Sequence, residues 1–195
     1  MKSLCALWIC SIGFLASIQT SHAQRKSLLI IDVQDKFYRD KSIYPPSDEL
    51  VNNINRAIQT MPPDDVIYIK ATEKVLSISF KGIKTYPITP APGIDTRLNV
   101  VSQNVFTKNE ADAFTVDSLN EILERKQVQE LFIVGQLAEE CVYQSAMGGL
   151  KKGYAVTIVP EAISCYSMDR KEKAYKKLIN KGVRIVPLNE LSSSE

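Results

Sequence analysis

The sequence predicts an α/β fold: a three-layer α/β/α sandwich on a six-stranded, mostly parallel sheet, Rossmann-like in its alternation. Three observations carry this. Short apolar runs alternate with stretches of helical periodicity along the whole chain after its first residues. Several of those runs are apolar throughout instead of alternating, as strands buried on both faces are. The segments between them are long enough for crossovers between parallel strands, and no linker, repeat or low-complexity tract divides them.

Taken in order, residues 1–23 are expected to be a secretory signal peptide and no part of the fold. Lys2 supplies the positive start, Leu4 to Ile18 the apolar stretch, and Ser21 and Ala23 the small residues flanking a cleavage site. The apolar stretch is shorter than the roughly 20 residues a membrane span needs. Residues 24–195 then form one domain, exported to a periplasm or the extracellular space. Strands are expected at Leu28–Val33, Val66–Lys70, Asn104–Thr107, Leu131–Val134, Ala155–Val159 and Val183–Val186. Helices are expected at Ser47–Thr60, Ser118–Lys126, Glu140–Lys151 and Arg170–Asn180, with Asp117 as an N-cap and Gly153 and Gly182 as stops. Ala71 to Arg97, holding Pro87, Pro90, Pro92 and Gly93, reads as a long connection of the kind that lines sites.

Composition excludes several functions. Lys and Arg number 24 against 22 Asp and Glu, a net charge of +2, and the basic residues are dispersed. No nucleic-acid partner is expected, nor a membrane partner once the signal is cut. The one histidine, His22, lies in the signal segment. The mature chain therefore runs no Cys-His or Ser-His-Asp mechanism and builds no His-ligated metal site. No cofactor is expected. Cys5 and Cys10 leave with the signal, and Cys141 and Cys165 remain. Two cysteines are too few for a disulfide scaffold, though they are able to pair and block Cys141.

Three side chains converge on one edge of the sheet. In open parallel sheets the ligand crevice lies beyond the carboxyl ends of the strands. Asp32 falls near the end of the first strand, Lys108 directly after the third, and Cys141 just past the fourth, at a helix start. A thiol at a helix N-terminus suits a nucleophile, whereas a lone cysteine is usually a small buried hydrophobe. Acid, ammonium and thiol together at three strand ends are hard to explain as packing.

The residues around these three resemble the isochorismatase-like cysteine hydrolases, which include nicotinamidases and N-carbamoyl amide hydrolases. LLIIDVQDKF is similar to an apolar run followed by D-x-Q-x-x-F, through Asp32, Gln34 and Phe37. KNEADAFTVDSL is similar to K-x-x-x-S-A-F-x-x-T-x-L, through Lys108, Ala113, Phe114 and Leu119. GQLAEECVYQSAMGGLKKGYAVTIVPEA resembles G-x-x-T-[DE]-x-C-V-x-x-T-A-x-x-A-x-x-x-G-Y-x-V-x-V-x-x-D-A. The resemblance spans nearly the whole mature chain. It implies Cys141 as nucleophile, Asp32 as general base then acid, and Lys108 as the charge that lowers the Cys141 pKa and keeps Asp32 ionised. It further implies an oxyanion hole from the Leu137 and Cys141 backbone N–H groups beside a cis peptide at Gln136–Leu137. Gln34, Phe37, Phe114 and Cys165 become candidates for a substrate pocket. A small-molecule substrate and a homo-oligomer, dimer or tetramer, are implied as well.

Departures from the pattern shape the expectation. Asp112 replaces a small residue, Ala138 a common threonine, and Glu161 a common aspartate. The stretch IKATEKVLSISF lacks the Asp/His cluster that holds metal in nicotinamidases. The expected activity is an exported, metal-independent cysteine hydrolase that cleaves a C–N bond in a small amide or carbamoyl compound through a thioester. The alternatives are an isochorismatase-type vinyl ether hydrolase, which needs an Arg such as Arg97 for an aromatic acid, and a non-catalytic binding module.

Overall fold

The computed structural model describes residues 25–35, 43–79, 82–87 and 90–193. The expectations for residues 1–23 and for Phe37 lie outside the described residues. Strands β1 (Lys26–Ile31), β2 (Val66–Ala71), β5 (Val105–Lys108), β6 (Glu130–Gly135), β7 (Ala155–Ile163) and β8 (Arg184–Ile185) form one sheet in the order β5-β2-β1-β6-β7-β8. Every pairing in it is parallel. Between them run α1 (Ser47–Gln59), α2 (Asp117–Arg125), α3 (Cys141–Lys151) and α4 (Met168–Ile179).

The period-2 geometry of β1 explains the three layers. Leu28 and Ile30 face one side, where they join Leu50, Val51, Ile54, Ala57 and Ile58 of α1. Leu29 and Ile31 face the other, with Leu119 and Leu123 of α2, Val142 and Ala146 of α3, and Leu178 of α4. Spacings of three, four and seven in α1 place its apolar residues on one stripe, so the helix lies flat on the sheet. A sheet that is apolar on both faces is thus covered on both.

Two expectations are corrected. The Ala71 to Arg97 stretch is not all connection. It holds an antiparallel pair, β3 (Lys74–Ser79) and β4 (Gly82–Pro87), in register from Lys74↔Pro87 to Ser79↔Gly82. Its prolines stand at or beyond the end of β4, where no ladder donor is required. Asp117 is not a cap but the first residue of α2, preceded by Val116.

The order of strands reverses between β1 and β6, which are neighbours although most of the domain separates them in sequence. In open α/β sheets such a switch point is where ligands bind, beyond the carboxyl ends of the strands. Gly135, at the end of β6, makes the close approach possible. Its φ is +119°, and a Cβ there would stand 2.1 Å from the Ile31 carbonyl oxygen. Gly135→Ala is therefore expected to cost about 4 kcal/mol or more, seen as a large drop in the urea midpoint with the m-value unchanged.

Candidate active site

Each of the three chemical groups is delivered by the end of a regular element. Asp32 is the first residue beyond β1 and takes φ of +55°, a left-handed conformation that aspartate tolerates. Its N–H donates to the Ile69 carbonyl at 2.9 Å, and its carbonyl accepts from Gln136 Nε2 at 3.3 Å. Lys108 is the last residue of β5, and Cys141 the first of α3.

The lysine brings the set together. Lys108 Nζ lies 2.8 Å from Asp32 Oδ2 and donates to Cys141 Sγ at 3.2 Å and to the Glu110 carbonyl at 3.1 Å. An ammonium has three N–H donors, and all three are engaged, so its position is fixed from three directions. With exposures of 1% for Lys108 and 5% for Asp32, the ion pair is out of water and poorly screened. Asp32 Oδ1 has no well-formed hydrogen bond among the described residues, although the carboxylate and the Cys141 thiol are close enough to interact.

Burial dominates the titration of the site. It pushes the Asp32 carboxyl above the usual carboxylate range, against the pull of Lys108. Burial alone would lower Lys108, but the charges of Asp32 and Cys141 outweigh it and hold the ammonium more firmly than usual. The Cys141 thiol is pushed up to about 11 by burial and then by the Asp32 charge, with Lys108 pulling in the opposite direction. Lys108 thus acts on the thiol in the direction the sequence suggested, but it does not win. The resting group is a protonated thiol facing a carboxylate, so a base is required at the moment of attack.

The turn between β6 and α3 supplies donors. The Gln136–Leu137 peptide is cis. The turn is pinned by Gln136 N–H to the Ile31 carbonyl, Ala138 N–H to the Ser164 carbonyl, and Glu140 N–H to the Leu137 carbonyl. The N–H groups of Leu137 and Cys141 find no acceptor among the described residues.

The remaining pocket candidates are mostly structural. Gln34 is fully buried; its Nε2 donates to the Ala71 and Pro92 carbonyls at 3.1 and 2.9 Å, and its Oε1 accepts from Ala71 N–H at 2.8 Å. It straps β2 to the 90s loop, with both amide N–H donors committed to backbone carbonyls. Phe114 is a core residue, with its ring 5.8 Å from that of Tyr154. Cys165 is also core; its backbone bridges Tyr44 and its Sγ rests on Met168 Sδ at 3.8 Å. Cys141 and Cys165 are both free thiols, so the pairing that would block the nucleophile is not formed.

The departures from the family pattern have physical readings. Asp112 caps the turn at Ala113–Thr115, its Oδ1 accepting from Phe114 N–H at 2.9 Å, a task serine and aspartate share. Ala138 is buried in the core. Glu161 Oε2 accepts from Leu188 N–H at 3.3 Å. Glu139 accepts from Tyr166 N–H at 3.0 Å and ties the loop after β7 to the nucleophile turn. Sequence reasoning missed Ser145 and the side-chain role of Gln136; only their spacing from Cys141 and Asp32 in the folded chain reveals them.

Among the described residues no cluster of three His, Cys, Asp or Glu side chains is placed to hold a metal. A cleft of about 2150 Å³ lies at the opposite edge of the sheet, lined by Arg25, Glu130 and Arg184, and contains none of the three site residues.

Comparison with known proteins agrees with this architecture. A family model described as the isochorismatase domain matches residues 26–190. No curated protein sequence matches the chain. Among solved structures, an isochorismatase family protein from Burkholderia thailandensis superimposes with TM-score 0.71 at 20% identity, over 87% of this chain and 94% of that one. A pyrazinamidase/nicotinamidase from Streptococcus mutans gives 0.66 at 20% identity, over 83% and 99%. MAR1 ribonuclease from Caenorhabditis elegans gives 0.67 at 20% identity, over 88% and 81%. At such identities these likenesses establish the fold. The match of the family model over nearly all of the described chain places the chain in the isochorismatase-like cysteine hydrolase family.

Proposed function

We propose that the chain is a cysteine hydrolase that cleaves the C–N bond of a small amide or carbamoyl compound, with Asp32, Lys108 and Cys141 as its triad. One observation carries this reading: a single buried ammonium touches both a carboxylate and a thiol at the switch point of the sheet. Asp32 takes the S–H proton as Cys141 Sγ bonds to the carbonyl carbon. The carbonyl oxygen gains negative charge and is met by the Leu137 and Cys141 N–H groups. The tetrahedral adduct collapses, the C–N bond breaks, and protonated Asp32 gives its proton to the departing amine. A thioester on Cys141 remains. Water then attacks it, with Asp32 again accepting a proton; the acid leaves and the thiol is restored. Lys108 keeps a positive charge beside both anions throughout. No step calls for a metal or cofactor.

Arg97 bears on the vinyl ether alternative. Its Nε and Nη2 are bonded to Asp95 at 2.9 and 2.6 Å, and its Nη1 to Asp48. A guanidinium committed to two carboxylates is a poor receptor for an aromatic acid. The proposal includes export on the strength of residues 1–23 and assembly as a homo-oligomer on the strength of the family resemblance.

The test is ammonia release from a panel of small primary amides and carbamoyl compounds at pH 7.5, with enzyme treated with EDTA. Release that stops after alkylation of Cys141 is the expected result. A panel without ammonia release, alongside hydrolysis of isochorismate, would move the assignment to the vinyl ether chemistry; inertness to both leaves a binding module.

A further inference from the structure

The three residues Cys141, Ser145 and Gly148 are spaced by four and three, so they form one stripe along α3. The segment that follows Lys108 lies along that stripe in register. Lys108 Nζ meets Cys141 Sγ at 3.2 Å. One turn on, Ser145 Oγ accepts from Ala113 N–H at 3.0 Å and reaches the Ala111 carbonyl at 3.5 Å. One further turn on, the Asp112 carboxylate occupies the space a side chain at Gly148 would fill, with a Cβ there standing 2.3 Å from Asp112 Oδ1.

We propose that Ser145 is a positioning residue for the triad: its hydroxyl fixes the lysine segment against the nucleophile helix and so sets the contact between Lys108 and Cys141. Two features support this over a packing role. Ser145 is fully buried, and its hydroxyl both accepts and donates to the same loop, which neither alanine nor an apolar isostere does. Its site is also a bearing point between the two chain segments that carry the ammonium and the thiol, since β5 and β6, which lead into those segments, are not neighbours in the sheet. Asp112 over Gly148 limits sliding along the helix in the same register.

The inference rests on the proposed triad, and its test is read on the thiol as well as on turnover. The groups that face the Cys141 thiol are Asp32 beyond β1 and Lys108 at the end of β5; of these, only Lys108 favours the thiolate. The rate of iodoacetamide alkylation of Cys141 against pH is measured in wild type, Ser145→Ala, Ser145→Thr and Gly148→Ala. Loosened contact with Lys108 is expected to move the alkylation midpoint of Ser145→Ala upward and to lower kcat by on the order of 10- to 100-fold at unchanged KM. Ser145→Thr, which keeps the hydroxyl, is expected to stay near wild type. Gly148→Ala displaces the Asp112 carboxylate that caps the Ala113–Thr115 turn, and it is expected to shift the midpoint in the same direction even where Ser145→Ala folds poorly. A wild-type midpoint and kcat in both Ser145→Ala and Gly148→Ala, with only Tm lowered, overturns the proposal. Failure of the hydrolase reading looks different: wild type itself releases no ammonia, while the alkylation midpoints still order the variants.

Discussion

Cys141→Ala is expected to remove ammonia release altogether, and Asp32→Asn to reduce it by on the order of 10³- to 10⁴-fold. The two effects have different origins. Without Sγ there is no atom to carry the acyl group, and the lone ion pair of Asp32 and Lys108 has no route to a thioester. Without the Asp32 carboxylate the nucleophile survives, but it is a thiol with a pKa pushed up to about 11 and no acceptor for its proton. The same loss strikes the return of that proton to the leaving amine, so acylation slows at both of its proton transfers. Stability moves as well. Asp32→Asn leaves the Lys108 ammonium, 1% exposed, without its counter-charge, a situation that typically costs about 3–5 kcal/mol. Turnover is therefore compared at a temperature where circular dichroism shows the variant folded. Rapid quench and intact-mass measurement on a slow substrate complete the test: an acyl adduct on wild type, absent from Cys141→Ala. Turnover within tenfold of wild type in Asp32→Asn, or full activity in Cys141→Ser, would sink these assignments.

The layer architecture was legible because it rests on runs whose meaning is local. LLII and LFIV are apolar on both faces, so strands covered on both sides were the one consistent reading, and β1 and β6 are found as neighbours. Asp32, Lys108 and Cys141 were legible because residues at strand ends in a parallel sheet share an edge whatever the side-chain details. Other features depend on contacts that no spacing encodes. Gln34 and Phe114 sit in the same motifs as the triad, yet one is consumed by backbone partners and the other by the core; motif membership does not say which way a side chain points. The β3–β4 pair was hidden by prolines clustered at and beyond its end. Lys108 lowers the thiol pKa as the resemblance implied, but the net direction of the shift was not legible, for a physical reason. The Lys108 charge and the helix start favour thiolate, but the Asp32 charge and desolvation oppose them, and burial is something a sequence does not display.

That sign carries the second large prediction, in which the two charged neighbours of Cys141 shift its titration in opposite directions. Asp32 raises the thiol pKa and Lys108 lowers it. Lys108→Met is therefore expected to move the alkylation midpoint above that of the wild type, and Asp32→Asn to move it below. A single perturbation of folding would shift both variants alike, so opposite shifts identify charge as the cause. The pH profile of kcat/KM follows from the same groups. Asp32 acts as an anion, and its pKa lies above the ordinary carboxylate value of 3.8, so activity falls as pH drops through a midpoint higher than a free aspartate would give. Lys108 lowers that midpoint in the wild type, so Lys108→Met moves the acid limb to higher pH while also reducing the plateau. On the alkaline side the thiol is protonated through neutrality, so no rise in activity is expected between pH 7 and 9, in contrast to an enzyme that relies on a free thiolate. A rate that climbs tenfold per pH unit through that interval, with an acid limb at the position of a free aspartate, would show that ionisation of Cys141 precedes attack and that Asp32 is not its base.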